Sequence, residues 1–253
     1  MEAKYIHREL SAVIEEAYRY FSVITVTGPR QSGKTTLLRN LFSHLPYYSL
    51  ENLDVRSFAE NDPVAFLNQH AEGMILDEVH NAPNLLSYIQ GMVDDDADRR
   101  FILSGSSQFA MLKRITQSLA GRTAVFELLP LSYSEIREIA SDTPLDHLLL
   151  DGFYPAIYSG RNVPKFLYPA YMKTYLDKDV RDLLQIKDMM QFHTFIRLCA
   201  GRIGSLFKAS ELANEIGVSS HTVTAWLSVL QASYIVFPVS YTHLRAHETG
   251  RNL

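Results

Sequence analysis

The stretch from Phe21 to Phe42 leaves this chain little freedom in how it can fold. Phe21-Ser22-Val23-Ile24-Thr25-Val26-Thr27 is an apolar, β-branched run of strand length. It leads directly into Gly28-Pro29-Arg30-Gln31-Ser32-Gly33-Lys34-Thr35, which fits GxxxxGK[ST], and then into the amphipathic run Thr36-Leu37-Leu38-Arg39-Asn40-Leu41-Phe42. A strand, a glycine-bearing loop and a helix in that order make a phosphate-binding loop, where backbone N–H groups and the positive end of a helix dipole face one polyphosphate. Gly28, Pro29, Arg30, Gln31, Ser32, Gly33, Lys34, Thr35 and Thr36 are therefore expected to bind nucleotide. Within them, Lys34 should reach the β/γ-phosphates and the Thr35 hydroxyl should ligand Mg²⁺.

The remaining strand candidates place a second set of residues beside that loop. Tyr47-Tyr48-Ser49-Leu50, Gly73-Met74-Ile75-Leu76, Arg100-Phe101-Ile102-Leu103-Ser104 and Thr123 to Leu128 alternate with helical segments at Tyr5–Tyr20, Pro63–Leu67 and Asn84–Val93. This alternation predicts an α/β fold, a parallel sheet with helices on both faces and its ligand at the strand carboxyl ends. The third strand runs into Asp77-Glu78, some 40 residues after the loop. Asp77 is expected to support Mg²⁺ opposite Thr35, and Glu78 to orient the attacking water. That adjacency favours ATP hydrolysis over transfer to a second substrate, for which no acceptor pocket is visible. His80 reads as a loop residue facing the site. Ser106, at the tip of the fourth strand, is a candidate γ-phosphate sensor, although a serine there also suits a helix cap. Arg122 is a candidate arginine finger, with Arg30 its rival for phosphate contact.

Composition narrows the class further. The chain has 253 residues, 47% hydrophobic and 21% charged, with a formal net charge of −4. It has ample core and no global basic field, so any nucleic-acid contact needs a local patch. Its one cysteine, Cys199, lies in an apolar run and reads as a core residue, which suits a cytoplasmic home. Glu2 and Glu9 interrupt the N-terminus where a signal peptide needs basic and then apolar residues, and no apolar run approaches the roughly 20 residues of a membrane span. After about Asp142, prolines punctuate short helical stretches, with no further clear strand until Tyr234-Ile235-Val236-Phe237. The expected division is 1–142 for the nucleotide domain, 143–237 for an all-α region, and 238–253 for a tail.

GPRQSGKT at Gly28–Thr35, Leu76-Asp77-Glu78, FILSGS at Phe101–Ser106 and LAGRTAVFELLPL at Leu119–Leu131 together resemble the prokaryotic AAA+ superfamily ATPases whose C-terminal half is a domain of unknown function. The likeness continues through Gly152–Ala156, Tyr175–Arg181 and Ala200–Gly204 and covers roughly residues 5 to 237. It implies a P-loop NTPase core of AAA+ type, ATP and Mg²⁺ as ligands, and a helical region with a winged-helix-like element. Family members are generally longer. Asn52 departs from the family's usual acid and His80 from a frequent glutamine.

Glu211 to Leu227 has helix-turn-helix spacing, with Gly217 at the turn and Val218 and Val223 as apolar ties. A DNA reader would present Ser219, Ser220, His221, Thr222 and Thr224 to a groove and draw phosphate attraction from Lys208 or Arg202. The alternative is a structural three-helix module that packs on the ATPase core or on another subunit. Two functions follow as expectations: an ATPase whose nucleotide state repositions the helical region, or a nucleotide-gated regulator that binds duplex DNA. From Val239 to Thr249, VSYTHLRAHET resembles a reading frame of a transposase-adapter sequence used in DNA library preparation. The tail is therefore expected to be non-native, and His243 and His247 are not read as a metal site.

Overall fold

The computed structural model describes residues 5–106, 118–176 and 189–239. Five parallel strands form one sheet: β1 (Val23–Gly28), β2 (Tyr47–Ser49), β3 (Gly73–Asp77), β4 (Arg100–Ser106) and β5 (Thr123–Glu127), in the order β2-β3-β4-β1-β5. All five coincide with apolar runs in the sequence. The central strands are buried on both faces, so their side chains are apolar on both sides of the pleat. Alternation then sorts them. Met74 and Leu76 pack with Phe101 and Leu103 on one face, and Ile75 and Ile102 with Ile24 and Val26 on the other.

Helices α1 (Leu10–Tyr18) and α2 (Lys34–Leu41) cover the second of these faces through Ile14, Leu37 and Leu38. The first face is covered by α3 (Leu53–Asn61), α4 (Pro63–Leu67) and α5 (Leu85–Asp95), through Ala59, Phe66, Leu67, Leu85, Leu86 and Ile89. Each fully buried Leu or Phe in these layers contributes about 1.5–3 kcal/mol from removal of apolar area alone. Asn52 turns out to cap α3, its Oδ1 accepting from the Asp54 and Val55 amides at 2.9 and 3.4 Å.

Two sequence expectations are corrected. The leading helix starts at Leu10 rather than Tyr5, because Arg8 and Glu9 are drawn into other bonds described below. Tyr234–Phe237 is not a strand. Tyr234 turns the chain with φ 58°, and the Ile235 and Val236 amides close back on the Leu230 carbonyl.

By packing, the chain divides into two compact units at Leu167/Tyr168, so that residues 143–167 group with the first unit. The extra residues belong to the first unit because α6 (Tyr133–Arg137), α7 (Leu145–Asp151) and α8 (Pro155–Tyr158) share a small core built on Leu131, Ile136 and Leu148. The boundary falls inside α9 (Pro164–Tyr171), which continues as a π-helical turn over Met172–Leu176. In the second unit, α10 (Met189–Ala200), α11 (Ala209–Ile216) and α12 (Ser220–Ala232) enclose Phe192, Phe195, Leu212, Val223 and Trp226. Gly217, at φ 80°, ends α11, and Ser219 caps α12 by accepting from the Thr222 amide at 3.0 Å. Among the described residues, no helix is long and apolar enough to cross a membrane.

Candidate nucleotide site

The carboxyl ends of β1, β3 and β4 bring the predicted residues together. Ser106 stands in register with Gly28, and β4 lies between the acid-bearing β3 and the loop-bearing β1. Gly28 is required where it is. Its φ is 142°, and a Cβ there would stand 2.2 Å from the Leu128 carbonyl oxygen. The loop continues through left-handed backbone at Gln31 and Gly33, conformations of the kind that turn successive N–H groups toward an anion. α2 opens at Lys34, directly after Gly33.

Lys34 is buried, and its Nζ donates to the Gly28 and Pro29 carbonyls, both at 2.9 Å. Burial pushes the amine's pKa down, against the pull of Glu78 and Asp77 and with the help of the Arg30 charge. The Ser32 side chain is fully buried, and its hydroxyl lacks a hydrogen-bond partner among the described residues. Such a group costs about 1–3 kcal/mol unless something satisfies it. Thr36 lies exposed in the first turn of α2.

Asp77 collects hydroxyls. Its Oδ2 accepts from Thr35 Oγ1 and from the Tyr47 hydroxyl, each at 2.7 Å, and its Oδ1 accepts from Ser104 Oγ. The Thr35–Asp77 contact is the pair expected at the metal. An oxygen-only set of one carboxylate and one hydroxyl, completed by phosphates and water, fits the preference of Mg²⁺. Tyr47 was not expected from the sequence, and Ser104 was read only as one of the serines at the strand tip. Ser104 follows from register, since Leu76 pairs with Leu103 and the next residues along are Asp77 and Ser104.

Glu78 is held in left-handed backbone, φ 54°, immediately past the end of β3. Its Oε2 lies 3.1 Å from His80 Nδ1 and accepts from the Ser106 amide at 3.0 Å, with Ser106 Oγ at 3.5 Å. Burial pushes the Glu78 carboxyl up, but His80, the Ser106 amide and Lys34 outweigh it and hold the pKa down at about 2. Ser106 therefore contacts the site through Glu78, and His80 faces the site as expected.

Arg122 is not brought to this cluster. It precedes β5, its carbonyl accepts from the Val23 amide at the start of β1, and both strand starts are at the sheet end opposite the loop. Its guanidinium pairs with Asp94 through contacts of 2.5 and 2.8 Å. Arg8, to which the sequence assigns no role beyond a possible place near the nucleotide base, lies against the loop. It is 6% exposed and donates to Ser32 O at 2.8 Å, to Leu129 O at 2.7 Å and to Glu135 Oε1 at 3.0 Å. The signal was available in ELLPLS followed three residues later by Glu135, the capping box that opens α6.

In the second unit, both cations expected to attract phosphate are engaged by acids of α11. Arg202 pairs with Glu215, and Lys208 Nζ lies 2.7 Å from Glu211 Oε1.

Residues 20–137 match a family model described as an AAA domain. Residues 142–251 match one described as a domain of unknown function, DUF8612, and this match runs into the segment expected to be adapter-derived. The two matches follow one another in the order that the sequence resemblance implies. An uncharacterized protein of Mycobacterium tuberculosis is 30% identical over 238 residues, 90% of this chain and 52% of its own length. One from Methanocaldococcus jannaschii is 22% identical over 245 residues, 84% of this chain and 55% of its own. The chain spans about half the length of the curated relatives it matches. A solved Walker-type ATPase of Pyrococcus abyssi shares the fold, with a TM-score of 0.60 at 13% identity over 92% of this chain and 91% of that one.

Proposed function

From an AAA domain joined to a domain of unknown function, we propose a Mg²⁺-dependent ATPase whose nucleotide state repositions the helical second unit. The observation that carries the hydrolytic part is the Glu78 carboxylate, kept ionised beside the Thr35–Asp77 pair by His80 and the Ser106 amide.

The loop amides and Lys34 hold the phosphates. Lys34 already donates to two loop carbonyls and exchanges them for phosphate oxygens, while the Ser32 hydroxyl lies buried in the same loop. Thr35 and Asp77 hold Mg²⁺, which when bound neutralises phosphate charge in the transition state. Glu78 orients the water by accepting a hydrogen bond from it. The left-handed backbone at Glu78 fixes where that carboxylate starts from.

The test is nucleotide binding and phosphate release by wild type, Lys34→Ala and Glu78→Gln. Lys34→Ala is expected to lose tight ATP binding. Glu78→Gln is expected to bind ATP and hydrolyse it about 100-fold more slowly or worse. Equal turnover in wild type and Glu78→Gln removes Glu78 from the role. Duplex DNA in the same assay at low salt tests the regulator reading, which is the weaker of the two given the paired state of Arg202 and Lys208.

A further inference from the structure

We propose that Arg8 is a positioning residue for the phosphate loop: braced by Glu135, its guanidinium holds the Ser32–Gly33 peptide with the Gly33 N–H turned toward a bound polyphosphate. The inference deepens the nucleotide reading and rests on it.

In a trans peptide the carbonyl and the following N–H point in opposite directions. Fixing the Ser32 carbonyl therefore fixes the Gly33 N–H. Arg8 Nη1 holds that carbonyl at 2.8 Å. Left to itself this peptide could turn over cheaply, because Gly33 sits at φ 96°, in the region glycine enters without penalty. A flipped peptide would present an oxygen to an anion in place of a donor. The guanidinium lies directly behind the peptide, since a Cβ added to Gly33 would meet Arg8 Nη1 at 3.7 Å.

The brace is itself fixed. Arg8 Nη2 donates to the Leu129 and Pro130 carbonyls at 2.7 and 3.2 Å, so the side chain spans the start of the chain, the loop and the segment after β5. Glu135 accepts from Arg8 Nε at 3.0 Å and from the Glu9 and Ser132 amides, both at 2.8 Å. The pair is 7% and 5% exposed at its side chains. A buried ion pair is by itself weak evidence for stability, whereas a planar fork aimed at one loop carbonyl is a means of fixing geometry. Lysine, with one compact ammonium, cannot make the same set of bonds.

The experiment measures ATP affinity by calorimetry for wild type, Arg8→Lys and Glu135→Gln, with Lys34→Ala as blank. Nucleotide-free thermal melts establish that each variant is folded at the assay temperature. Amide spectra of ¹⁵N-glycine-labelled protein, which has 12 glycines, follow Gly33, assigned by its loss in Gly33→Ala. Folded Arg8→Lys is expected to bind ATP about ten-fold more weakly, with kcat at saturating ATP within about three-fold of wild type. Its Gly33 amide should no longer make the wild-type shift on ATP addition. Glu135→Gln, which keeps the shape but loosens the brace, should weaken binding about three-fold by the same arithmetic, and it carries the test if Arg8→Lys does not fold. A folded variant with wild-type Kd and the wild-type Gly33 shift overturns the positioning role and leaves the nucleotide reading standing. If wild type binds no ATP while remaining folded, the nucleotide reading falls, and this inference with it.

Discussion

Asp77 is where the site's polar network converges, with three hydroxyl donors on one carboxylate. Thr35 and Asp77 were legible as motif positions. Tyr47 was not, because its contact depends on β2 pairing with β3, a long-range fact that local pattern does not carry. Burial and the hydrogen bond to Asp77 both raise the Tyr47 phenol's pKa, so it remains a donor at any working pH. Tyr47→Phe should leave ATP binding without metal unchanged, while raising the Mg²⁺ concentration for half-maximal turnover about ten-fold. An unchanged Mg²⁺ dependence removes Tyr47 from the site. Glu135 makes a separate prediction. Burial pushes its carboxyl up, but the Ser132 and Glu9 amides and Arg8 outweigh burial and hold it below the usual range. A carboxyl held below its unfolded value of about 4.3 adds stability that is complete above that value and is lost as pH falls toward the folded-state value. Glu135→Gln should therefore be less stable than wild type at neutral pH. The gap should narrow as pH drops from about 5 to about 3. Urea unfolding at each pH reads it, and a gap that stays constant argues against the linkage.

At the level of elements, the central strands were readable because burial on both faces demands unbroken apolar runs. Helix ends were less readable. α3 depends on a cap at Asn52, a position noted in the sequence for a different reason, and α1 begins late because Arg8 and Glu9 bond to Glu135 and not to a first helical turn. Ile235 and Val236 looked like strand residues because they are β-branched or apolar in sequence; they pack instead on the three-helix core after a left-handed turn. Gly73 shows how strictly one residue can fix a strand. It opens β3 at φ 110°, opposite Arg100, and a Cβ would stand 1.6 Å from the Arg100 carbonyl oxygen. Gly73→Ala should cost roughly 3 kcal/mol or more, since the backbone strain and the clash act together. Thermal unfolding checks this, and a melting temperature within a degree or two of wild type would show that the β3–β4 start can shift.

Over the whole molecule, composition changes near residue 142, while packing continues to Leu167, because the short helices after the change still serve the first unit's core. The tail at 238–253 is proposed to be non-native; uninterrupted natural reads encoding Val239 to Leu253 would overturn that, and they would agree with the family match to residue 251. The larger question is whether nucleotide reaches the second unit. Trp226, the one tryptophan of the chain, lies in that unit's core against Phe192 and Phe195, with ring centroids 5.5 Å away in each case. Its fluorescence therefore reports unfolding of the second unit and of nothing else. A ligand that binds only the first unit stabilises it by mass action. It moves the Trp226 transition only if a coupling free energy links the units, typically about 1–3 kcal/mol in switching proteins. Under the switch reading, saturating Mg·ATP should displace the Trp226-detected denaturation midpoint in wild type and in Glu78→Gln, and should do nothing in Lys34→Ala. A displacement seen by circular dichroism but absent from the Trp226 signal would mean that ATP binds without reaching the helical unit. The ATPase assignment would then stand, and the switch would not.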